Sequence, residues 1–246
     1  HVAITPCTAK KYEIKREEMN KAGEFLNKEI RDVDYVVTVR ELASWMREEN
    51  IDFESLEDSN YDSLLGEASG AGVIFGATGG VMEAALRTAH YYVTGESLKD
   101  ENIEFNSIRG LEGIKEANVK VGDYDLSIAV ITGTNNVHKF FEMQKNSDKH
   151  YDFIEVMACL GGCVAGGGQP KVDQTIAHLE KEKRSSSLYE KDRTLKRFSY
   201  ENTEIQKLYK DFLKEPGSDI SRQLLHTTYS SKKDMLNVSE KETSQV

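Results

Sequence analysis

Three cysteines are the residues of this sequence best suited to chemistry. Cys159 and Cys163 are separated by three residues, two of them glycine, and three more glycines follow at 166–168. Cys7 stands about 150 residues earlier, directly after Pro6. The Cys-x3-Cys spacing on a turn lets two thiolates converge, while the glycines leave room for a bulky inorganic group and free backbone N–H groups to face it. Thiolates without neighbouring histidines suit an iron–sulfur cluster or a soft metal.

The same cysteines have a simpler explanation as small, buried apolar residues, and spacing alone leaves that alternative open. A structural zinc site needs four ligands, but the sequence offers neither a second cysteine pair nor a histidine at zinc-finger spacing. The six histidines are scattered without ligand spacing. An odd cysteine count also argues against a disulfide framework.

A glycine-rich stretch at 76–80 separates a strand-like run from a helical segment. A helix N-terminus of this kind attracts phosphate, so the stretch is a candidate nucleotide cradle. It lacks the Gly-Lys-Ser/Thr of a P-loop and the glycine spacing of a dinucleotide fingerprint. A close-packed turn is the better interpretation of the pattern.

Two further residues lie beside the cysteines in sequence. Lys10 follows Cys7 by three residues, where its charge would lower the pKa of a thiol or hold an anionic ligand. A solvated lysine pair with Lys11 is the alternative. Met157 precedes Cys159 by two residues and, on its own, is typical of a core filler.

Composition limits the remaining function classes. The chain has 246 residues and a formal charge of −10, which argues against nonspecific nucleic-acid binding. No apolar run approaches the ~20 residues that cross a bilayer, and no signal-peptide pattern follows His1, so we expect no membrane segment. A strand-like run begins almost at once, which indicates a piece of a longer protein.

The elements that must position these residues alternate between β-branched runs and helical segments. This pattern predicts an α/β fold with mostly parallel sheets flanked by helices. Strands are predicted at 2–5, 35–39, 72–75, 118–121, 126–131 and 153–157, with a group beginning near 103 and a hairpin turn at 122–123. Helices are predicted at 13–28, 41–48, 81–90, 135–144 and from 174 onward, with breaks at 185–187 and 216–217.

Three segments, in order, resemble motifs of the [FeFe]-hydrogenase catalytic domain. Residues 5–13 (TPCTAKKYE) resemble its second signature, Met-Pro-Cys-x-x-Lys-x-x-Glu, and residues 155–170 (EVMACLGGCVAGGGQP) resemble the third. Residues 75–87 (FGATGGVMEAALR) are similar to a segment that lines the active-site pocket of this family. Residues 224–229 are similar to the family's C-terminal end, so the resemblance covers essentially the whole chain.

The resemblance implies an H-cluster, in which a [4Fe-4S] cluster is joined through one cysteine to a two-iron unit carrying CO, cyanide and a bridging dithiolate amine. Cys7, Cys159 and Cys163 would ligate the [4Fe-4S] cluster, and Cys163 would be shared with the two-iron unit. Lys10 would hydrogen-bond a cyanide. The residues forming an apolar wall around the two-iron unit would be Pro6, Phe75, Val81 and Met157. The implied activity is the interconversion of protons, electrons and H₂.

Two departures from the family pattern stand out. Thr5 occupies the position of the methionine that usually precedes Pro6, which replaces a soft apolar contact by a hydroxyl. The family's first signature, Thr-Ser-Cys-Cys-Pro, has no counterpart in this sequence. That signature supplies the fourth ligand of the [4Fe-4S] cluster and the cysteine that passes protons to the bridging amine. We therefore expect a missing N-terminal part that carries it.

The resemblance also implies a two-lobed iron-hydrogenase-like domain with a helical C-terminal part and the cluster between the lobes. The predicted divisions are a first lobe at 1–100, a second lobe at 101–229 and a tail at 230–246. Ligands in α/β folds lie at the carboxyl ends of strands, which predicts that Cys7, Phe75 and Cys159 cluster.

Expected partners are ferredoxin or another electron carrier, maturation factors and the missing N-terminal part, with no nucleic acid and no membrane. The expected compartment is the cytoplasm, with the periplasm and the hydrogenosome left open. Two alternatives remain: a hydrogenase-like iron–sulfur assembly protein that does no H₂ chemistry, and a sensory hydrogenase with slow turnover. The segment at 75–87 favours a hydrogenase, because assembly proteins of this kind diverge there.

Overall fold

The computed structural model describes residues 1–99, 105, 108–109 and 113–232. Within these residues the chain has the predicted α/β fold, with helices packed around two small sheets. No helix in these ranges is both long and apolar enough to cross a membrane. The strand group predicted near 103 and most of the tail at 230–246 lie outside the described residues. The lobe boundary at residue 100 also lies outside them and stays a prediction.

The first sheet consists of two parallel strands, β1 and β2. Its elements are β1 (Val2–Thr5), α1 (Lys10–Glu13), α2 (Lys21–Leu26), β2 (Tyr35–Thr38) and α3 (Val39–Glu48). The single helix predicted at 13–28 is wrong, because α1 ends at Glu13 and only the short helix α2 forms within this range. The Asp32 carboxylate accepts the N–H groups of Lys21 and Ala22, which starts α2 as a separate helix.

The second sheet has three strands, β3 (Ile114–Val121), β4 (Tyr124–Thr132) and β5 (Phe153–Met157), in that order. The predicted hairpin is confirmed: β3 and β4 pair antiparallel around Gly122, whose φ is +58°. β4 and β5 pair in parallel. The centre of β4 is buried on both faces, because one face packs on helix α5 (Gly80–Thr94) and the other on α6 (Thr134–Gln144).

The strand predicted at 72–75 is wrong. This segment forms a short helix, α4 (Gly70–Val73), followed by a 3₁₀ turn at Ile74–Gly76. The Ser69 hydroxyl accepts the Gly72 N–H at 3.2 Å and so caps the helix. A short apolar run bounded by glycine does not distinguish a strand from a buried helical turn, which explains the error.

The C-terminal region is helical, as predicted, with α7 (Ala177–Thr194), α8 (Thr203–Leu208) and α9 (Asp219–Leu225). The break predicted at 185–187 is wrong, because α7 continues through these serines. The Ser187 hydroxyl donates to the Lys183 carbonyl at 3.0 Å, so this polar side chain has a hydrogen-bond partner within the helix. The break at 216–217 is confirmed, since these residues separate a π-helical turn at Tyr209–Leu213 from α9.

A group of charged side chains joins α5 to α7 below the surface, and we call it the buried ionic cluster. Its members are Glu83, Arg87, Arg109, Asp192 and Arg197. Glu83, Arg87 and Asp192 are completely buried. Arg87 donates to Glu83 at 2.5 Å and to both carboxylate oxygens of Asp192 at 2.9 Å. The cluster therefore ties the helix that begins at the glycine-rich loop to the C-terminal helices.

Candidate functional site

The three cysteines follow the carboxyl ends of β1 and β5, each of which pairs in parallel with a neighbour in its own sheet. Cys7 comes after β1, and Cys159 and Cys163 come after β5. All three are free thiols and partly buried. Burial raises the pKa of the Cys163 thiol, and the charges of Cys159 and Cys7 raise it further. Cys159 and Cys163 share the turn that follows β5.

Glycines allow the backbones around these cysteines to touch. Gly162 has a φ of +86°, and a Cβ there would lie 2.8 Å from the backbone nitrogen of Thr78 in the glycine-rich loop. A Cβ on Gly166 would lie 2.2 Å from the carbonyl oxygen of Pro6, and the Gly168 N–H donates to that same oxygen at 2.8 Å. Side chains at these glycines would push the three segments apart.

Lys10 lies close to the thiols, on the short helix α1. Its ammonium group donates to Glu13 at 2.8 Å. This hydrogen bond raises the pKa of Lys10 against the opposing effect of burial, and the charges of Cys7 and Cys163 raise it as well. Cys7 and Lys10 line a cavity of about 620 Å³. The structure thus sets an ammonium group and a thiol on one cavity wall.

The four residues expected to form an apolar wall lie on the three segments that meet at the glycine contacts. Pro6 adjoins Cys7, and Phe75 and Val81 flank the glycine-rich loop. Met157 ends β5, where its carbonyl oxygen accepts the Gly133 N–H at 2.9 Å. Phe75 is 48% exposed and is the least covered of the four, while the others are partly buried.

The donor set fits a cluster better than a single ion. Among the residues that the structure describes, no three His, Cys, Asp or Glu side chains are grouped tightly enough to hold one metal ion. Three thiols without a neighbouring histidine are the ligand type that iron–sulfur clusters take, and a four-iron cluster does not need its ligands to converge on one atom. The buried hydroxyl of Thr78 finds no hydrogen-bond partner among the described residues, which leaves a donor available beside the cysteine turn.

Thr5 makes contacts that a methionine at this position cannot make. Its hydroxyl accepts the Cys7 N–H at 3.3 Å and donates to the Cys7 carbonyl at 3.0 Å. The Thr5 side chain therefore closes a small turn around Pro6. It forms hydrogen bonds with both the N–H and the carbonyl of Cys7.

Replacing Thr5 with valine should free the Cys7 amide while keeping a β-branched side chain. We expect the Cys7 amide to exchange with solvent about 3- to 10-fold faster, since a neutral hydrogen bond contributes roughly 1 kcal/mol. Hydrogen exchange on the full-length protein measures this rate. Thr5→Ser keeps the hydroxyl and serves as the control, so equal rates in the two variants would contradict the assignment.

Glu155 is a residue whose role the sequence did not reveal. It lies in β5, is only 5% exposed, and accepts backbone N–H groups from the start of α5. An acidic residue at the centre of an otherwise apolar strand was the available signal, because buried charges are retained where they have partners.

A model of the family described as "Iron only hydrogenase large subunit, C-terminal domain" matches residues 1–167. The chain belongs to this family. A second model, "Iron hydrogenase small subunit", matches residues 179–232, so regions like both hydrogenase subunits lie in one chain. The buried ionic cluster spans them, since Arg87 lies in the first match and Asp192 in the second.

Known iron hydrogenases are similar over most of this chain. Iron hydrogenase 1 from Clostridium pasteurianum is 46% identical over 93% of the chain and 39% of its own length. The periplasmic [Fe] hydrogenase large subunit of Nitratidesulfovibrio vulgaris is 46% identical over 73% of the chain and 41% of its own length. A solved structure of an [FeFe]-hydrogenase HydA1 variant from Chlamydomonas reinhardtii superposes with a TM-score of 0.72 at 35% identity, covering 93% of this chain and 62% of that one.

A more distant relative is Protein NAR1 from Arabidopsis thaliana, which is 29% identical over 93% of the chain and 49% of its own length. The chain spans less than half of the length of each of these three curated relatives. Its similarity to the two hydrogenases is clearly higher than its similarity to NAR1.

Proposed function

We propose that this chain is part of the catalytic domain of an [FeFe]-hydrogenase, which reversibly reduces protons to H₂. The observation that carries the proposal is the close approach of the segments that bear Cys7 and Cys163, where a Cβ on Gly166 would lie 2.2 Å from the Pro6 carbonyl oxygen, inside a region that matches the large-subunit family model. The identity of 46% to an iron hydrogenase supports the same conclusion.

In this proposal Cys7, Cys159 and Cys163 hold a [4Fe-4S] cluster, and Cys163 also joins the two-iron unit with its CO, cyanide and dithiolate amine. The H-cluster, when bound, supplies the hydride chemistry and the electron storage. The protein supplies position, a dry environment and an electrostatic field. The fourth ligand of the [4Fe-4S] cluster comes from the part of the protein that carries the first cysteine signature.

The chain's own side chains then have two tasks. Lys10 presents an ammonium donor to an anionic ligand such as cyanide, and its pair with Glu13 keeps it protonated and oriented. Pro6, Val81 and Met157 limit the access of water as partly buried apolar groups, and Phe75 completes this wall.

The remaining parts of the function lie outside this chain. Electrons come from ferredoxin or a similar carrier, and protons arrive through residues of the missing N-terminal part. Maturation factors insert the two-iron unit. We propose the cytoplasm as the compartment, although a relative of this chain bears the name of a periplasmic hydrogenase.

The test is to produce the full-length protein with maturation factors and record its infrared spectrum and its H₂ turnover. We expect CO and cyanide bands together with H₂ evolution from a reduced carrier. A matured protein that binds iron and sulfide but shows neither signal would contradict the proposal.

The similarity to NAR1 favours one second candidate, a hydrogenase-like protein of iron–sulfur assembly. Such a protein would keep the cysteine-bound cluster and lack the two-iron unit. The same spectra separate the two functions, because only the hydrogenase shows CO and cyanide bands. Infrared bands with very slow turnover would instead indicate a sensory hydrogenase.

A further inference from the structure

Helix α5 begins without a side-chain cap of its own. Its N-cap is Gly79, which has a φ of +79° and no side chain to accept the exposed N–H groups of the first turn. A Cβ on Gly79 would lie 2.4 Å from the Ile108 carbonyl oxygen, so a capping Ser or Asp does not fit there. The helix must find its acceptor elsewhere.

Glu155 supplies that acceptor from strand β5. One carboxylate oxygen accepts the Gly79 N–H at 2.9 Å, and the other accepts the Met82 N–H at 2.7 Å. Both oxygens act as acceptors, as in an ionised carboxylate, and charge-assisted bonds of this kind are strong. Burial raises the pKa of Glu155, while the N–H groups of Met82 and Gly79 oppose that effect.

The position of Glu155 connects two parts of the candidate site. β5 leads directly into the turn of Cys159 and Cys163, and α5 carries Val81 in its first turn. Glu155 also lies near the bridging cysteine. It accepts the Gly79 N–H at 2.9 Å, and a Cβ on Gly162, which adjoins Cys163, would lie 2.8 Å from the nitrogen of the neighbouring Thr78. One side chain therefore joins the pocket wall to the cysteine strand and adds a negative charge beside the bridging cysteine.

We propose that Glu155 is a positioning residue of the hydrogenase site, which fixes the glycine-rich loop against the cysteine strand and lowers the reduction potential of the cluster at Cys163. The effect on potential rests on the proposed function, whereas the positioning effect depends only on the contacts of Glu155. Negative charge near a cluster disfavours its reduction, because the reduced state carries one more electron.

The test is Glu155→Gln in the full-length protein. The amide oxygen can accept at only one end, so one of the Gly79 and Met82 N–H groups loses its acceptor and should exchange about 10- to 100-fold faster in the cluster-free protein. In the reconstituted protein, the midpoint potential of the [4Fe-4S] cluster, followed by its electron paramagnetic resonance signal, should become more positive. Glu155→Asp keeps the charge on a shorter side chain, so it should speed exchange while leaving the potential nearer to that of the parent.

The matched control is Glu116→Gln on β3 of the same sheet. Glu116 is more exposed and pairs with Lys149 at 2.8 Å, so its loss should change neither readout. Unchanged exchange in Glu155→Gln overturns the positioning role, and an unchanged potential overturns the electrostatic role. Hydrogen exchange is measured on the cluster-free protein. The test of the positioning role therefore remains valid even if the proposed hydrogenase function is wrong.

Discussion

Replacing the buried Arg87 with methionine should make the slowest amides of α5 and α7 exchange on the order of 100-fold faster. This rate corresponds to a loss of about 3 kcal/mol in the free energy of opening. Arg87 is completely buried and contacts Glu83 and Asp192, which are completely buried as well. Methionine fills much of the same volume, so the loss reports charge pairing more than cavity formation.

The size of this effect follows from what remains after the replacement. Removing one member of a buried ion pair typically lowers the free energy of unfolding by about 3–5 kcal/mol, because the other charge stays buried without a partner. Glu83 still receives two hydrogen bonds from Arg109, and Asp192 still receives those of Arg197. We therefore expect a loss at the lower end of this range. Arg87→Lys keeps the charge but not the bidentate geometry, so it should fall between the parent and Arg87→Met.

Hydrogen exchange on the full-length protein measures this effect helix by helix. The control is Lys145→Met at the C-cap of α6, which breaks an ion pair with Glu142 in which both side chains are exposed. Exposed pairs contribute about 1 kcal/mol or less, so exchange in α6 should change little. A change in Arg87→Met as small as that of the control would show that α5 and α7 do not depend on the buried ionic cluster.

The strands of the second sheet could be predicted from sequence because their patterns have one interpretation. The β3–β4 hairpin has a turn with a left-handed glycine, and the centre of β4 is a continuous apolar run, as buried strands require. The segment at 70–76 could not be predicted in this way. Its helix depends on the Ser69 cap and on the close approach of Gly70 to Asp192, a residue far along the chain.

In the candidate site, too, some residues could be predicted from the sequence and others could not. The cysteines and Lys10 carry side-chain chemistry, so their types and order pointed to a cluster through the family resemblance. Glu155 contributes through backbone N–H groups of Gly79 and Met82, and backbone donors have no sequence signature. The helical pair Glu83 and Arg87 is visible in sequence at i,i+4 spacing, but only the structure shows that both are buried against α7.

Replacing Cys7 with alanine should remove the iron of the [4Fe-4S] cluster from the reconstituted full-length protein. Loss of a residue that merely supports a ligand already weakens metal binding by about 10- to 100-fold, so loss of a direct thiolate should weaken it at least as much. Iron and sulfide analysis after desalting, together with the visible absorption of the cluster, measures the change. If the full protein holds accessory clusters, their iron should remain.

This experiment also separates a ligand from a structural cysteine. Cys7 is only partly buried, so its replacement by alanine should leave the hydrogen exchange of the β1–β2 sheet close to that of the parent. Met143→Ala removes another sulfur side chain, one that is 65% exposed on α6, and should leave the iron content unchanged. Full iron content in Cys7→Ala would contradict its assignment as a ligand. The cluster would then be held by Cys159, Cys163 and ligands from the part of the protein that carries the first cysteine signature.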